Sequence, residues 1–193
     1  MPYESCPHCG LRTYCVSGEE CPRCGTPLSV MPRVAHGPPE WPTAAAEPHT
    51  AVERVLARAR RELRMDAAVL TEVVDGREVV LAAVGNGRIP GFVSGAAAPL
   101  DDTICKQLLD GTIDSVVHDT ARDERTRDLP VVKLTGLAAY IGVPLNGAAA
   151  RRYVLCCLAG EARPDLTDAD VHFLRGLGGT LGTAIDGPAG APA

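Results

Sequence analysis

The sequence has few aromatic residues, almost no lysine and no long apolar run. Phe, Trp and Tyr together make up 4% of the 193 residues, so a core has to be built from Val, Leu, Ile and Ala. Only two lysines, Lys106 and Lys133, stand beside 17 arginines, and the formal net charge is −5. An acidic balance argues against the broad basic face that nucleic-acid binding needs, although Arg12, Arg23 and Arg33 leave a small basic group near the N-terminus. No stretch of eighteen apolar residues occurs, which excludes a membrane-spanning helix. The N-terminus lacks a basic flank followed by an apolar run, so export is not expected and the expected compartment is the reducing cytoplasm.

Cysteine, by contrast, is present eight times, and four of the eight are spaced for metal. Cys6-Pro-His-Cys9 and Cys21-Pro-Arg-Cys24 are eleven residues apart, and glycine follows each pair as Gly10 and Gly25. Each CxxC turn presents two thiolates to one side of an ion, and two turns close a tetrahedron with sulfur at roughly 2.3 Å from zinc. The glycines suit a knuckle that needs positive φ. In a reducing compartment this pattern reads as metal rather than as a disulfide framework, with an iron site of the same spacing as the remaining competitor. The segment resembles a zinc ribbon. Residues 1–30 are therefore expected to be a small module held by Cys6, Cys9, Cys21 and Cys24 around structural zinc. His8 is expected to face solvent, and Cys15 is spare.

Residues 31–49 carry five prolines, Pro32, Pro38, Pro39, Pro42 and Pro48, and read as a semi-rigid linker. Trp41 lies inside it, as a docking anchor or, more commonly, packed on the neighbouring domain. From Thr50 the pattern becomes periodic. Thr50-Ala-Val-Glu53 is a capping box, and apolar residues at helical spacing predict a helix over 51–65. Ala67–Val74 and Glu78–Val84 read as strands around an Asp75-Gly76 hairpin turn. The glycine-rich stretch 85–100 reads as irregular. Its Gly85-Asn-Gly87 is not a phosphate loop, because no helix and no Lys-Ser/Thr pair follow it. Asp101 and Asp102 are expected to cap a short helix, Thr103–Leu109, ended by Gly111. A short strand is expected over Ser115–His118, a charged loop over Asp119–Arg127, and a helical turn over Leu129–Leu134. Ala138–Leu145 and Arg152–Ala159 read as strands. A long helix opens at Thr167 and turns Val171, Leu174, Leu177, Leu181 and Ile185 inward. Its glycines, Gly176, Gly178, Gly179 and Gly182, weaken it by roughly 1 kcal/mol each relative to alanine, and suggest a close helix contact such as a homodimer would make. Residues 187–193 read as a disordered tail.

Four segments carry a family resemblance: Asp102-Thr-Ile-Cys-Lys-Gln-Leu-Leu-Asp-Gly111, Val116-Val-His-Asp-Thr120 with Asp123 beyond it, Tyr140-Ile-Gly-Val-Pro-Leu145, and Tyr153-Val-Leu-Cys-Cys157 followed by Asp165-Leu-Thr-Asp-Ala-Asp170. In this order they resemble a GAF domain, over residues 50–186. The resemblance implies an α+β fold with a central antiparallel sheet, flanking helices behind it and a small-molecule pocket in front. Residues 85–111 and 119–136 would cover that pocket, with Phe92, Ile104, Cys105, His118, Asp119 and Tyr140 as candidates to line it.

Cys105 near a helix start is a candidate for a lowered thiol pKa, and His118 for a base, or for a haem ligand as in some GAF sensors. A thiol reductase centred on Cys105 is therefore one reading, but free cysteines are more commonly buried and inert. One of Cys156 and Cys157 must face the core, because strand side chains alternate. Asp119 after a strand suits a turn cap better than a ligand contact. The bilin-type pattern needs a Cys-His pair, whereas Lys106 follows Cys105. The cyclic-nucleotide signature, an Asn-Lys…Phe…Asp-Glu set, is missing. The expectation is a non-catalytic cytoplasmic signalling protein, in which the GAF domain senses a small molecule or redox state and the zinc ribbon contacts a protein partner. The alternative is an adaptor whose ribbon binds protein or nucleic acid while the GAF fold only dimerises.

Overall fold

A computed structural model describes residues 3–5, 12–14 and 50–185. Cys6, Cys9, Cys21 and Cys24, the 31–49 linker with Trp41, and the 187–193 tail lie outside the described residues. Near the N-terminus, strand β1 (Tyr3–Ser5) pairs antiparallel with β2 (Arg12–Tyr14), in the register Tyr3↔Tyr14.

The expected α+β domain is present. Helix α1 (Ala51–Glu62) starts at Thr50, whose hydroxyl accepts from the Glu53 amide while the Glu53 carboxylate accepts from the Thr50 amide. It stops before residue 65: the chain turns through Arg64 at φ 52° so that Met65 can enter the core. Strands β3 (Ala67–Val74) and β4 (Arg77–Gly85) form the expected hairpin. Its turn puts both Asp75 (φ 48°) and Gly76 (φ 73°) in the left-handed region, the backbone that matches strand twist in a two-residue hairpin. The 85–100 stretch is less irregular than expected, since Ala97–Pro99 forms strand β5 on the outer edge of β4. A 3-10 turn, Leu100–Asp102, precedes helix α2 (Ile104–Leu109). The α2 N-cap is therefore Thr103, not Asp101 or Asp102, and its hydroxyl accepts from the Lys106 amide. Strand β6 (Val116–Val117), helix α3 (Pro130–Thr135), strands β7 (Ala139–Asn146) and β8 (Arg152–Ala159), and helix α4 (Asp168–Ile185) complete the chain.

The six strands β3 to β8 form one antiparallel sheet in the order β5-β4-β3-β8-β7-β6. Its central strands are buried on both faces. Alternation sends Ala68, Leu70, Ile141, Val143, Tyr153, Leu155 and Cys157 to one side, against Leu56 and Ala59 of α1 and Leu174, Leu177 and Leu181 of α4. The other set, Val69, Val80, Tyr140, Val154, Cys156 and Leu158, packs under the loops, α2 and α3. The two cysteines thus face opposite layers, as period-2 geometry requires.

The α4 glycines separate by surroundings. A Cβ on Gly178 would stand 2.5 Å from Cδ2 of Leu145 on β7, whereas one on Gly176 or Gly179 meets nothing. The close approach at Gly178 is thus to this chain's own sheet. Gly176→Ala and Gly179→Ala are expected to raise stability by about 1 kcal/mol each, and Gly178→Ala to lower it by about 1–2 kcal/mol through crowding. Urea unfolding of the three variants decides this; equal effects would show that Gly178 packs no closer than the others.

Candidate functional site

The loop-covered face of the sheet opens, at the β4–β5 edge, into a cleft of about 420 Å³. Its floor is Glu78 and Val80 of β4. One wall is Pro90, Gly91 and Phe92 from the β4–β5 connection, with Ala96–Pro99. The opposite side is Asp102 and Thr103 before α2, and Pro130, Val131, Leu134 and Thr135 of α3. Both stretches expected as the cover, 85–111 and 119–136, contribute to it. Pro130 opens α3 at the position where a missing amide costs nothing, and Gly136 ends it at φ 70°. Leu134, 59% exposed, presents an apolar side chain beside the opening.

The cleft floor carries a buried acid. Glu78 is 6% exposed. It shares a sheet face with Val80, facing Val73 on β3 and Ala98 on β5. Burial pushes its carboxyl pKa up, partly offset by the Cys105, Thr103 and Thr71 side chains beside it. The polar groups beside its carboxyl are neutral, and no described cation forms an ion pair with it. The folded protein therefore holds this proton more tightly than the unfolded chain, so the group's contribution is favourable at low pH and is lost as pH rises from the ordinary value of 4.5 through the raised one. Glu78→Gln is expected to stabilise the protein at pH 8 by about 1 kcal/mol, the scale of an imperfectly satisfied buried polar group, and to have less effect at pH 4. Chemical denaturation at the two pH values checks this; a loss of stability larger at pH 8 than at pH 4 would place the carboxylate in a favourable pairing instead.

Behind the cleft lies a packed polar cluster. Cys105, in the first turn of α2, is 3% exposed, and its sulfur lies 3.5 Å from the Tyr140 hydroxyl. A hydrogen bond to Cys156, burial and the nearby Glu78 push the Cys105 thiol well up. A six-residue helix start is thus outweighed, and the thiol stays protonated rather than acquiring the lowered pKa its position in the sequence suggested. Tyr140 is likewise raised, by burial and then by Cys105, and Cys157 by burial on the helix side.

Of the six candidate lining residues, only Phe92 borders the cleft. Ile104, Cys105 and Tyr140 are brought together in the core behind it. His118 and Asp119 follow β6, at the opposite edge of the sheet from β5. The His118 ring is exposed, and its Nδ1–H donates to the Arg163 carbonyl at 2.8 Å, while the Arg163 amide donates to the His118 carbonyl at 2.8 Å. This clip ties β6 to the β8–α4 connection. Asp119 caps its turn, accepting from the amides of Ala121 and Arg122 at 3.1 and 3.2 Å. The 119–129 loop is held from within as well. Thr126 donates to the Thr120 carbonyl at 2.9 Å, and Arg125 binds Asp123 through two nitrogens, which lowers the Asp123 pKa.

Glu78, Thr103 and the α3 residues escaped the sequence reading. In Arg77-Glu-Val-Val-Leu81 both parities are apolar beyond Glu78, so the string does not say which face is buried. A register shift in β3 between Leu70 and Thr71, opposite Leu81, blurs the alternation further. Thr103 carried a signal, being the only residue before α2 whose hydroxyl both follows an acidic pair and precedes an apolar run.

Among the described residues no group of three or more His, Cys, Asp or Glu side chains is placed to hold a metal ion, and no helix is long and apolar enough to cross a membrane. A single antiparallel sheet, backed by two helices and fronted by a loop-walled cleft, defines the architectural class. The chain belongs to the GAF domain family, whose model matches residues 45–186. Solved structures share the fold at low identity. The phycocyanobilin-bound GAF domain of a cyanobacterial phytochrome is 18% identical, with a TM-score of 0.54 over 68% of this chain and 80% of that one. The blue-light-absorbing form of the Thermosynechococcus elongatus PixJ GAF domain is 13% identical, with a TM-score of 0.56 over 69% and 81%. A GAF domain region from Geobacter sulfurreducens is 21% identical, with a TM-score of 0.51 over 68% and 88%. No curated protein matches the chain.

Proposed function

We propose that this protein is a non-catalytic sensor, in which the GAF domain takes a small molecule in the β4–β5 cleft and the N-terminal module, folded on zinc, contacts a protein partner. The cleft carries the reading. Its volume and mostly apolar walls, with a few convergent polar groups, are the ordinary form of a small-molecule site. Two loop segments and α3 form its walls, so occupancy shifts their positions only as far as the ligand binds the two states unequally. The spacing of Cys6, Cys9, Cys21 and Cys24 supports the zinc module, and the β1–β2 pairing supports it further, since the first CxxC falls in sequence between those two strands. A thiol enzyme is disfavoured, because Cys105 is buried and held protonated.

Bilins are bound by the phytochrome domain named above, but this chain is not built for one. The thiol nearest the cleft is packed against Tyr140, and the sheet centre is filled by Tyr140, Cys156 and Leu158, each at most 2% exposed. Haem at His118 is opposed by its place, exposed beside β6 at the sheet edge away from the cleft and outside the cleft's lining.

Native mass spectrometry of the full chain from its own host tests the proposal. The expected spectrum shows one zinc per chain, lost in Cys9→Ser and Cys24→Ser, and a small-molecule adduct lost in Ala98→Trp, which fills the cleft. It also reports whether two chains associate. A folded protein that keeps its adduct in Ala98→Trp would move the ligand elsewhere, and a metal-free protein with an ordered N-terminus would remove the zinc module.

A further inference from the structure

We infer that the cleft is selective for a small cationic amine with an apolar body, its ammonium group held by Glu78; the inference rests on the cleft being the ligand site. Glu78 is a carboxyl nine-tenths buried on the floor of an open cleft. Buried carboxylates are ordinarily paired with a cation or well supplied with donors. The polar groups beside Glu78 are the Thr71 and Thr103 hydroxyls and the Cys105 thiol, all neutral. Two of these sit on rigid elements: Thr71 is fully buried within β3, and Thr103 is pinned by its own hydroxyl donating to the Leu100 carbonyl at 2.9 Å. Being neutral, they leave the carboxylate's charge without a counter-ion.

An ammonium entering the cleft supplies that counter-ion in a desolvated site, where a charge-assisted hydrogen bond is strongest. Asp102 on the wall adds a second negative charge at the entrance side. The Phe92 ring offers a face that attracts a cation, and Val80, Val131 and Leu134 cover an apolar body. Arg77 also borders the cleft. It precedes Glu78 in β4, where successive side chains leave opposite faces of the sheet; its Nε is buried without a hydrogen-bond partner, and among the described residues no ion pair joins it to Glu78. The volume of about 420 Å³ lies in the range of small-molecule sites and admits a single ring with a short chain.

Three nearly isosteric probes separate the outcomes: phenethylamine, 2-phenylethanol and 3-phenylpropionate, each titrated calorimetrically into the full-length protein freed of any co-purified ligand. Phenethylamine is expected to bind about tenfold or more tighter than the alcohol, the ratio a charge-assisted bond confers, and the carboxylate to bind most weakly. Glu78→Gln is expected to erase the preference, bringing the amine to within a few-fold of the alcohol's affinity. The wild-type comparison stands by itself if that variant does not fold. Equal affinity for amine and alcohol, or a preference for the carboxylate, overturns the inference and leaves the cleft a ligand site of other chemistry. Failure of all three to bind, including the neutral probe, overturns the cleft reading together with it.

Discussion

Replacing Gly142 with alanine is expected to destabilise the domain by about 2–3 kcal/mol, although alanine ordinarily improves a strand. Gly142 and Tyr140 lie on the same face of β7, two residues apart, and the Tyr140 ring lies back across the glycine. A Cβ there would overlap the hydroxyl oxygen and stand 2.6 Å from Cζ of that ring. The ring has no free space to retreat into: Tyr140 is 1% exposed, and its hydroxyl meets the Cys105 sulfur. Overpacking of this kind costs roughly 1–3 kcal/mol, sometimes more, against the roughly 0.5–1 kcal/mol that alanine gains over glycine in a strand. Urea unfolding measures the difference. The expected signature is non-additive, because Tyr140→Leu in the same chain relieves the overlap and should recover part of the loss. A Gly142→Ala variant at least as stable as the parent would mean that the ring moves aside freely, and that the core behind the cleft is softer than its packing indicates.

Loss of the Arg163 guanidinium is the second large effect expected, about 2–3 kcal/mol for Arg163→Ala. The side chain is 17% exposed and ties the end of α1 to the β8–α4 connection. One terminal nitrogen donates to the carbonyls of Leu63 and Arg64 at 3.0 and 2.9 Å, just past the end of α1. There a positive group also satisfies the helix dipole. The other two nitrogens bind Asp165 in a two-point contact, each at 2.8 Å. Removing the fork leaves the partly buried Leu63 carbonyl without this donor, at about 1–3 kcal/mol, and also removes the packing of the stem. The same fork, as the largest cause, holds the Asp165 pKa down to about 2. A lowered folded-state pKa contributes stability above the ordinary value of 3.8, and that contribution is lost as pH falls through about 2. In Arg163→Ala the Asp165 carboxyl should titrate near its ordinary value in an NMR pH series. An unchanged titration would show that backbone contacts rather than the arginine set it.

These two sites bear on the candidate functions of their neighbours. His118 and Asp119 carry residue types that suit ligand binding. The structure ties His118 to the Arg163 backbone and Asp119 to its own turn, at the sheet edge farthest from the cleft. Cys105 holds the place of a reactive thiol, at a helix start. Cys156 of β8 and Glu78 of β4, together with burial, reverse the electrostatics against a smaller opposite pull from Tyr140 of β7. None of these partners is near it in the chain, so no local pattern announces them.

What was legible in the string is what local physics decides. The Thr50–Glu53 box satisfies amides within one turn of helix. The Asp75-Gly76 hairpin follows from backbone sterics at two residues. The strands Ala67–Val74 and Arg152–Ala159 declare themselves by length and branched side chains. The order of these elements was enough to point to the GAF fold. The rest needed chain segments distant in sequence to meet. Strand β5 exists because β4 offers it an edge, and Gly178 is needed because Leu145 of another element lies over it. Glu78 is special because loops 90–92 and α3, with α2's Thr103, enclose it. A carboxylate on an open strand is an ordinary surface charge. The same carboxylate on the floor of a cleft, with only neutral polar groups beside it, becomes the residue on which ligand selectivity turns, because desolvation is a property of the assembled site and not of the residue.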